Sequence, residues 1–388
     1  MLPEIEPFHA ITISRTAHRL AAEGRSIIHM EFGQPSTGAP AAAIDAAHQI
    51  LDSDGMGYWE SVPLRMRIRR HYLENYGVEI DPDQVLLTCG ASPAFVLALS
   101  CLFAPGDCVA FARPGYVAYR NVLKAMHLTP VEIACGPRQR YQIDAAAIEA
   151  LDPAPQGMIL ASPANPTGTI IADEEMAAIA AMCRRRGIRI VSDEIYHGLS
   201  YVGSARSILQ DEPDACVVNS FSKYFSMAGW RLGWLIVPPA LIDAARARIG
   251  NLFLTPPSLA QHAGLVAFDC VEELQSHVRT YARNRVLLLS ALPMLGLAQI
   301  APPDGAFYVY ADISHLTDDS LKFCERLLLD TGVATAPGID FDPVEGHHFM
   351  RFSFAVSTGE IEEALARMTP WFSAEMRKRD EASFKRCY

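Results

Sequence analysis

Asp173-Glu-Glu-Met-Ala-Ala-Ile-Ala-Ala-Met-Cys-Arg-Arg-Arg186-Gly187 runs directly into Ile188-Arg-Ile-Val-Ser192, and then into Asp193-Glu-Ile-Tyr196. The first stretch reads as a helix. Asp173 caps it, Glu174 and Glu175 occupy its first turn, Arg184 to Arg186 fill the last turn, and Gly187 ends it. Acid at the start and base at the end suit the helix dipole. The second stretch is a short apolar run of the kind a buried strand shows. The same pattern extends outward in both directions, with strands expected at 85–89, 108–111, 157–161, 215–219 and 232–236. Strands alternating with helices imply an α/β fold with a largely parallel, doubly wound sheet. In such a sheet, ligands sit beyond the carboxyl ends of the strands.

The residues that follow each strand are therefore the candidate site. After 85–89 comes Gly90-Ala91-Ser92-Pro93, with Ser92 a good helix cap and Pro93 a good first helical residue. Exposed amides at that helix start would suit a phosphate, or would simply begin a well-capped helix. After 157–161 comes the stiff loop Ser162-Pro-Ala-Asn165-Pro166-Thr-Gly168, in which Asn165 can present its amide as a fixed donor. Asp193 ends its strand, where a carboxylate is costly to bury unless paired; a protonated ring nitrogen is one good partner and a simple turn cap is the alternative. Tyr196 could give a phenol to the same ligand. After 215–219 comes Ser220-Phe221-Ser222-Lys223, then Gly229-Trp230-Arg231. Desolvation would make Lys223 a nucleophilic amine, and Arg231 and Ser220 supply the charge and hydroxyl a phosphate needs. Near the C-terminus, Phe349-Met350-Arg351-Phe352-Ser353-Phe354 puts three apolar residues on one strand face and Arg351 on the other, where it pairs with a carboxylate of the protein or of a ligand.

Composition narrows the choices. A chain of 388 residues, half of them apolar, is long enough for two lobes. The later part changes character, with strands expected at 307–311, 332–336 and 348–354 and a closing helix at 358–372. This reads as a smaller α+β domain of residues 1–45 and 285–388 beside a large domain of residues 46–284. The net charge of −11 repels nucleic acid and anionic membrane surfaces. The basic cluster Arg377-Lys378-Arg379 with Lys385-Arg386 is expected to be a solvated helix end. No apolar run is long enough to span a bilayer, and the first ten residues lack a leader pattern. Nine cysteines at irregular spacing favour a reducing cytoplasm over a disulfide framework. No histidine spacing suggests a metal site, and adjacent His347 and His348 would face opposite ways on a strand.

Together and in this order, Ser162-Pro-Ala-Asn-Pro-Thr-Gly168, Asp193-Glu-Ile-Tyr196, Ser220-Phe-Ser-Lys223 through Arg231, and Arg351-Phe-Ser-Phe-Ala355 resemble the class I/II aminotransferases of pyridoxal-phosphate fold type I. The resemblance implies pyridoxal 5′-phosphate as cofactor, held by Lys223 as an internal aldimine. Lys223 is then the acid/base of the proton transfer. It implies that Asp193 pairs with the pyridine nitrogen and that Tyr196 and Asn165 hold the ring hydroxyl. Gly90, Ala91, Ser92, Ser220 and Arg231 surround the phosphate, and Tyr116, in Pro114-Gly-Tyr116, stacks on the ring. Arg351 binds the substrate α-carboxylate, with Gly33 and Asn165 nearby. Tyr58 reaches the partner's phosphate across a homodimer interface. The loop Tyr58-Trp-Glu-Ser-Val-Pro63-Leu64-Arg65 is about three residues shorter than the family's usual loop and lacks its glycine. The implied reaction moves an amino group from an L-amino acid to a 2-oxo acid. C–S β-elimination or synthase chemistry on the same scaffold is the alternative. With no second arginine assignable to a distal carboxylate, a neutral or aromatic donor is expected over aspartate; Arg15, Arg19 and Arg25 are the residues that could change this.

Overall fold

The computed structural model describes residues 4–53 and 55–386, with side chains to residue 379. Residues 1–3 of the N-terminal reading and the side chains of Lys385 and Arg386 lie outside the described residues.

In chain order the strands are β1 (Ile28–His29), β2 (Val85–Thr88), β3 (Cys108–Arg113), β4 (Thr129–Ala134), β5 (Gly157–Ala161), β6 (Arg189–Asp193), β7 (Cys216–Ser220), β8 (Gly233–Ile236), β9 (Tyr308–Asp312), β10 (Val333–Ala334), β11 (Ala336–Pro337) and β12 (Phe349–Ser353). The helices are α1 (His9–Ala22), α2 (Ala41–Ser53), α3 (Val62–Tyr76), α4 (Ala91–Leu102), α5 (Val117–Ala125), α6 (Ala145–Glu149), α7 (Asp173–Arg186), α8 (Ile242–Leu252), α9 (Ser258–Ala267), α10 (Val271–Ala291), α11 (Ser320–Thr331) and α12 (Thr358–Arg386).

Seven strands form the central sheet in the order β2-β8-β7-β6-β5-β3-β4. Only β8 runs against its neighbours, so the sheet is largely parallel as expected. Alternate residues feed opposite faces. Leu87, Met158, Leu160, Ile190, Val217 and Ile236 join one apolar core, and Leu86, Ile159, Val191, Val218 and Leu235 join the other. Both faces are covered by helices, which is why the strands read as continuous apolar runs rather than alternating ones.

A second core gathers around β9, β12, α11 and α12, with Val309, Met350, Phe352, Leu327 and Phe372 inside it. Here β11, β12 and β9 make an antiparallel sheet, and β1 pairs in parallel with β10. The 21-residue α10 serves both regions, burying Leu274 in the first core and Leu288 in the second.

Several local readings are corrected. Helix α4 begins at Ala91 with Gly90 as its cap, not with Ser92. Gly90 has φ 97°, a conformation open to glycine, which lets the chain turn into the helix two residues early. Pro93 then falls in the first turn, where its missing N–H leaves no intrahelical bond unmade. Helix α7 is capped by Ala172, and Asp173 is its first residue with no side-chain cap bond; its charge still faces the dipole. Strand β4 was not foreseen because Thr129-Pro-Val-Glu-Ile-Ala134 carries a proline, which an edge strand tolerates. The expected strand at 332–336 is two short strands broken at Thr335. His347 and His348 lie in a 3₁₀ turn, with rings 3.9 Å apart, not on a strand. The closing helix continues well past residue 372, to Arg386. Among the described residues, no helix is long and apolar enough to cross a membrane.

Candidate active site

A cavity of about 360 Å³ opens at the carboxyl edge of the central sheet, against β9 and β12. Strand β6 delivers Asp193 to it, and the turn after β7 delivers Lys223. Because β8 runs antiparallel, its start lies at the same edge, so Arg231, two residues before it, also reaches the cavity. Ala91, Ser92, Tyr116, Asn165, Tyr196, Gly33 and Arg351 line it as well.

Arg351 is 1% exposed. Its Nη1 donates to Asn165 Oδ1 at 2.8 Å and its Nη2 to the Glu31 carbonyl at 2.6 Å. The guanidinium is sandwiched between the rings of Tyr308, 4.4 Å away, and Phe341, 4.7 Å away. Its Nε has no hydrogen-bond partner among the described residues. A buried guanidinium with an unfilled donor is a natural carboxylate site. Since Arg351 occupies the Asn165 oxygen, the Asn165 amide nitrogen remains a donor.

Both Asp193 oxygens are anchored. Oδ2 accepts from the Tyr119 hydroxyl at 2.5 Å and Oδ1 from the Ile195 amide at 3.2 Å. Burial nevertheless pushes its pKa up to about 6, against the lowering effect of those bonds and of Lys223. A carboxylate in that state favours a cationic neighbour, as a protonated ring nitrogen would be. The Lys223 amine donates to the Gly33 carbonyl. Desolvation first, then the Arg351 charge, pull its pKa down to about 8, with Asp193 opposing. That leaves about a tenth of the amine free at pH 7, far more than an ordinary lysine offers, as a nucleophile requires.

The end of the cavity at α4 is shaped for an anion. Ala91 and Ser92, at the start of α4 where helix amides have no intrahelical acceptor, line the cavity beside Arg231, whose Nη2 donates to the Cys89 carbonyl at 3.2 Å. A Cβ on Gly90 would collide with that guanidinium. The residues present therefore fit pyridoxal phosphate: an amine, a buried carboxylate, a donor pair and an anion cradle share one cavity.

Two expectations differ from the geometry. Ser220 is buried behind the cavity wall, its hydroxyl accepting from the Ser222 amide at 3.0 Å, and Ser222 lines the cavity instead. Gly90 shapes the cradle without lining it. Tyr58 is 84% exposed and stands away from the cavity of its own chain. The short loop after it is pinned to α9: Trp59 stacks on His262 at 4.5 Å, and Gln261 bonds the Trp59 carbonyl and the Ser61 amide.

Sequence reasoning missed Tyr119, Tyr308 and Phe8. The Tyr116-x-x-Tyr119 spacing could have exposed the first, since a cap residue and the third helical residue lie close together; their rings meet edge-on at 5.6 Å. Phe8 packs edge-on against Tyr116 at 6.4 Å, held from afar by Glu6 contacts to Arg120 and Lys124. No local pattern foretells such a contact.

Residues 25–368 match the model of aminotransferase class I and II. The chain is 45% identical over 378 residues to a valine–pyruvate aminotransferase of Mycobacterium tuberculosis, covering 96% of this chain and 97% of that one. A crystal structure of an aminotransferase from the same organism superposes with a TM-score of 0.93 at 45% identity, over 95% of this chain and 97% of that one. Aspartate aminotransferase from Thermus thermophilus with maleate superposes with a TM-score of 0.88 at 29% identity, over 94% and 97%. The chain belongs to the class I and II aminotransferases, enzymes that use pyridoxal phosphate to move amino groups between amino acids and keto acids.

Proposed function

We propose that the amino donor is a neutral, aliphatic L-amino acid of about the size of valine, and that Lys223 is the amine that carries the cofactor and then moves the proton at the substrate's Cα. One observation carries the donor class. Among the described residues, the only arginines lining the cavity are Arg231 and Arg351, and both already have an anion to hold. Arg15 and Arg19 lie exposed on α1, where Arg19 pairs with Glu23, and Arg25 bonds the Leu329 carbonyl. None of the three lines the cavity. Its wall is instead apolar at Phe8, Phe32 and Tyr116. The relative named for valine and pyruvate supports the same reading.

Pyridoxal phosphate, when bound, supplies an electron sink for the electrons released at Cα. The protein's part is positioning and proton management. Arg351 and Asn165 grip the α-carboxylate, with the Gly33 carbonyl close to the Lys223 amine. Asp193 holds its negative charge opposite the ring nitrogen, with Tyr119 fixing its angle. Tyr196 and Asn165 donate to the ring oxygen, and Tyr116 covers the ring face. Ala91, Ser92, Ser222 and Arg231 hold the phosphate, with Ser220 bracing the turn.

We further propose a large cofactor-binding domain of residues 46–284, a small domain of residues 1–45 and 285–388, and a homodimer in which Tyr58 reaches the partner's phosphate. Tyr58, Val62, Met66, Leu252 and Leu254 are exposed apolar residues, and the segment carrying Tyr58 is tied to α9 through the Ser258 hydroxyl and the Gly57 carbonyl. A subunit face would cover such groups. Among the described residues the thiols, Cys89 and Cys101 among them, are unpaired, which suits work in a reducing cytoplasm.

A donor screen with pyruvate as acceptor tests the substrate class. Valine or another neutral aliphatic donor is expected to give the highest kcat/KM. A clear preference for aspartate or glutamate would refute it.

A further inference from the structure

Strand β9 sets Tyr308 where the two halves of the site meet. Its hydroxyl lies 2.7 Å from the Tyr196 hydroxyl. Its ring lies 4.4 Å beneath the Arg351 guanidinium. A Cβ on Gly33 would strike the same hydroxyl, so the phenol is confined from a third side. The residue is fully buried, and Tyr196 shares its environment through an edge-on ring contact at 5.7 Å.

Each phenol has one proton to give. If Tyr196 donates to the cofactor's ring oxygen, as proposed above, it cannot also donate to Tyr308. Tyr308 must then be the donor within the pair. A hydroxyl that accepts a hydrogen bond is polarised into a stronger donor. The ring does a different job. Together with Phe341 it clamps the guanidinium plane, so that the remaining donors of Arg351 stay aimed at one place.

We propose that Tyr308 is a positioning residue with two separable duties: its hydroxyl orients and strengthens Tyr196 as a donor to the ring oxygen, and its ring holds Arg351 for the substrate carboxylate. The first duty rests on the reading of Tyr196 given above. Arg351 on β12, Asp193 on β6, Tyr116 at the start of α5 and Lys223 after β7 are the titratable groups that face the pair. All of them are retained when the hydroxyl alone is removed.

The test uses the holoenzymes of wild type, Tyr196→Phe, Tyr308→Phe, Tyr308→Leu and the Tyr196→Phe/Tyr308→Phe double variant. The first readout is the visible absorbance of the bound cofactor against pH. A donor to the ring oxygen stabilises its negative charge and lowers the pH at which the chromophore loses its proton. Tyr196→Phe should therefore raise that pH by about one unit. Tyr308→Phe should raise it in the same direction, by about two- to three-fold in the proton equilibrium. The double variant should match Tyr196→Phe alone. The second readout is the dissociation constant of 3-methylbutanoate, a carboxylate with valine's side chain and no amine. Tyr308→Phe should leave it within about two-fold of wild type, while Tyr308→Leu should weaken it about five- to ten-fold. A shift in Tyr196→Phe with none in Tyr308→Phe overturns the hydroxyl's duty while leaving Tyr196 in its role. No shift in Tyr196→Phe overturns the reading of Tyr196 and the hydroxyl's duty with it. Equal carboxylate affinity in wild type and Tyr308→Leu overturns the ring's duty.

Discussion

Asp193, the last residue of β6, and Glu194, the first residue beyond it, are neighbours with different surroundings and different work. Asp193 faces the cavity. Asp193→Asn keeps the shape but loses the charge, so kcat is expected to fall by orders of magnitude while cofactor affinity falls less; a near-normal kcat in stopped-flow single turnovers would make Asp193 a mere turn residue. Glu194 faces the core. Its Oε1 accepts from the Ser207 hydroxyl at 2.9 Å and the Ile208 amide at 3.0 Å. Burial lifts its pKa from 4.5 to about 7. His197, 3.6 Å away, is no ion-pair partner: Nε2 bonds the Ser162 carbonyl, Nδ1 meets the Tyr76 hydroxyl, and burial pulls its pKa down to about 3. An acid with a raised folded pKa binds its proton more tightly folded than unfolded. Its stabilising contribution is complete below about pH 4.5 and declines as pH climbs through about 7. His71, whose pKa burial pulls down to about 4, and His197 act oppositely below 6.5, so the comparison must be against a variant. The stability of Glu194→Gln relative to wild type, both without cofactor, should rise with pH across this window by an amount on the order of 3 kcal/mol. A pH-independent difference in denaturant unfolding would contradict the protonated Glu194. Lys223, Asp193, Asn165 and Arg231 were legible in the sequence because each stands at or near a strand end, and Arg351 because it breaks the apolar alternation of β12. Tyr119 and Tyr308 were not, because their partners lie 74 and 112 residues away.

At the scale of elements, the proposed phosphate cradle at the start of α4 depends on one backbone angle. Gly90 has φ 97° and ψ −179°, a region essentially closed to other residues, and Arg231 fills the space where a Cβ would go. Gly90→Ala is expected to weaken cofactor binding more than about ten-fold, by displacing both the amides and the guanidinium, and to cost about 1–3 kcal/mol of stability. Unchanged cofactor affinity by equilibrium titration would show that the helix start is not the cradle. The sequence made the glycine visible but placed the cap at Ser92, since Ser before Pro is the commoner helix start. The strand–helix alternation was legible because burial on both faces leaves unbroken apolar runs. Strand β4 was hidden by its proline and its edge position, and the break at Thr335 by a run too short for any periodicity.

At the scale of the whole molecule, α10 ties both cores together, and the N-terminal segment does so again. Glu6 bonds Arg120 and Lys124 on α5, while the His9 and Ala10 amides donate to Asp340 at 2.8 Å. The cavity between is thereby held from both sides. The proposed dimer adds a third element, Tyr58. Mixing Tyr58→Phe and Lys223→Ala chains after dissociation should regain about a quarter of wild-type activity, since half the dimers are mixed and each has one native site. Inactivity of verified mixed dimers made from two inactive parents would show that Tyr58 does not act on the partner. The central claim concerns the amine itself. Borohydride reduction of the holoenzyme, followed by peptide mass mapping, should find the cofactor fixed to the peptide carrying Lys223, with none fixed in Lys223→Ala. Cofactor fixed to a different lysine, with that labelling kept in Lys223→Ala, would contradict the account.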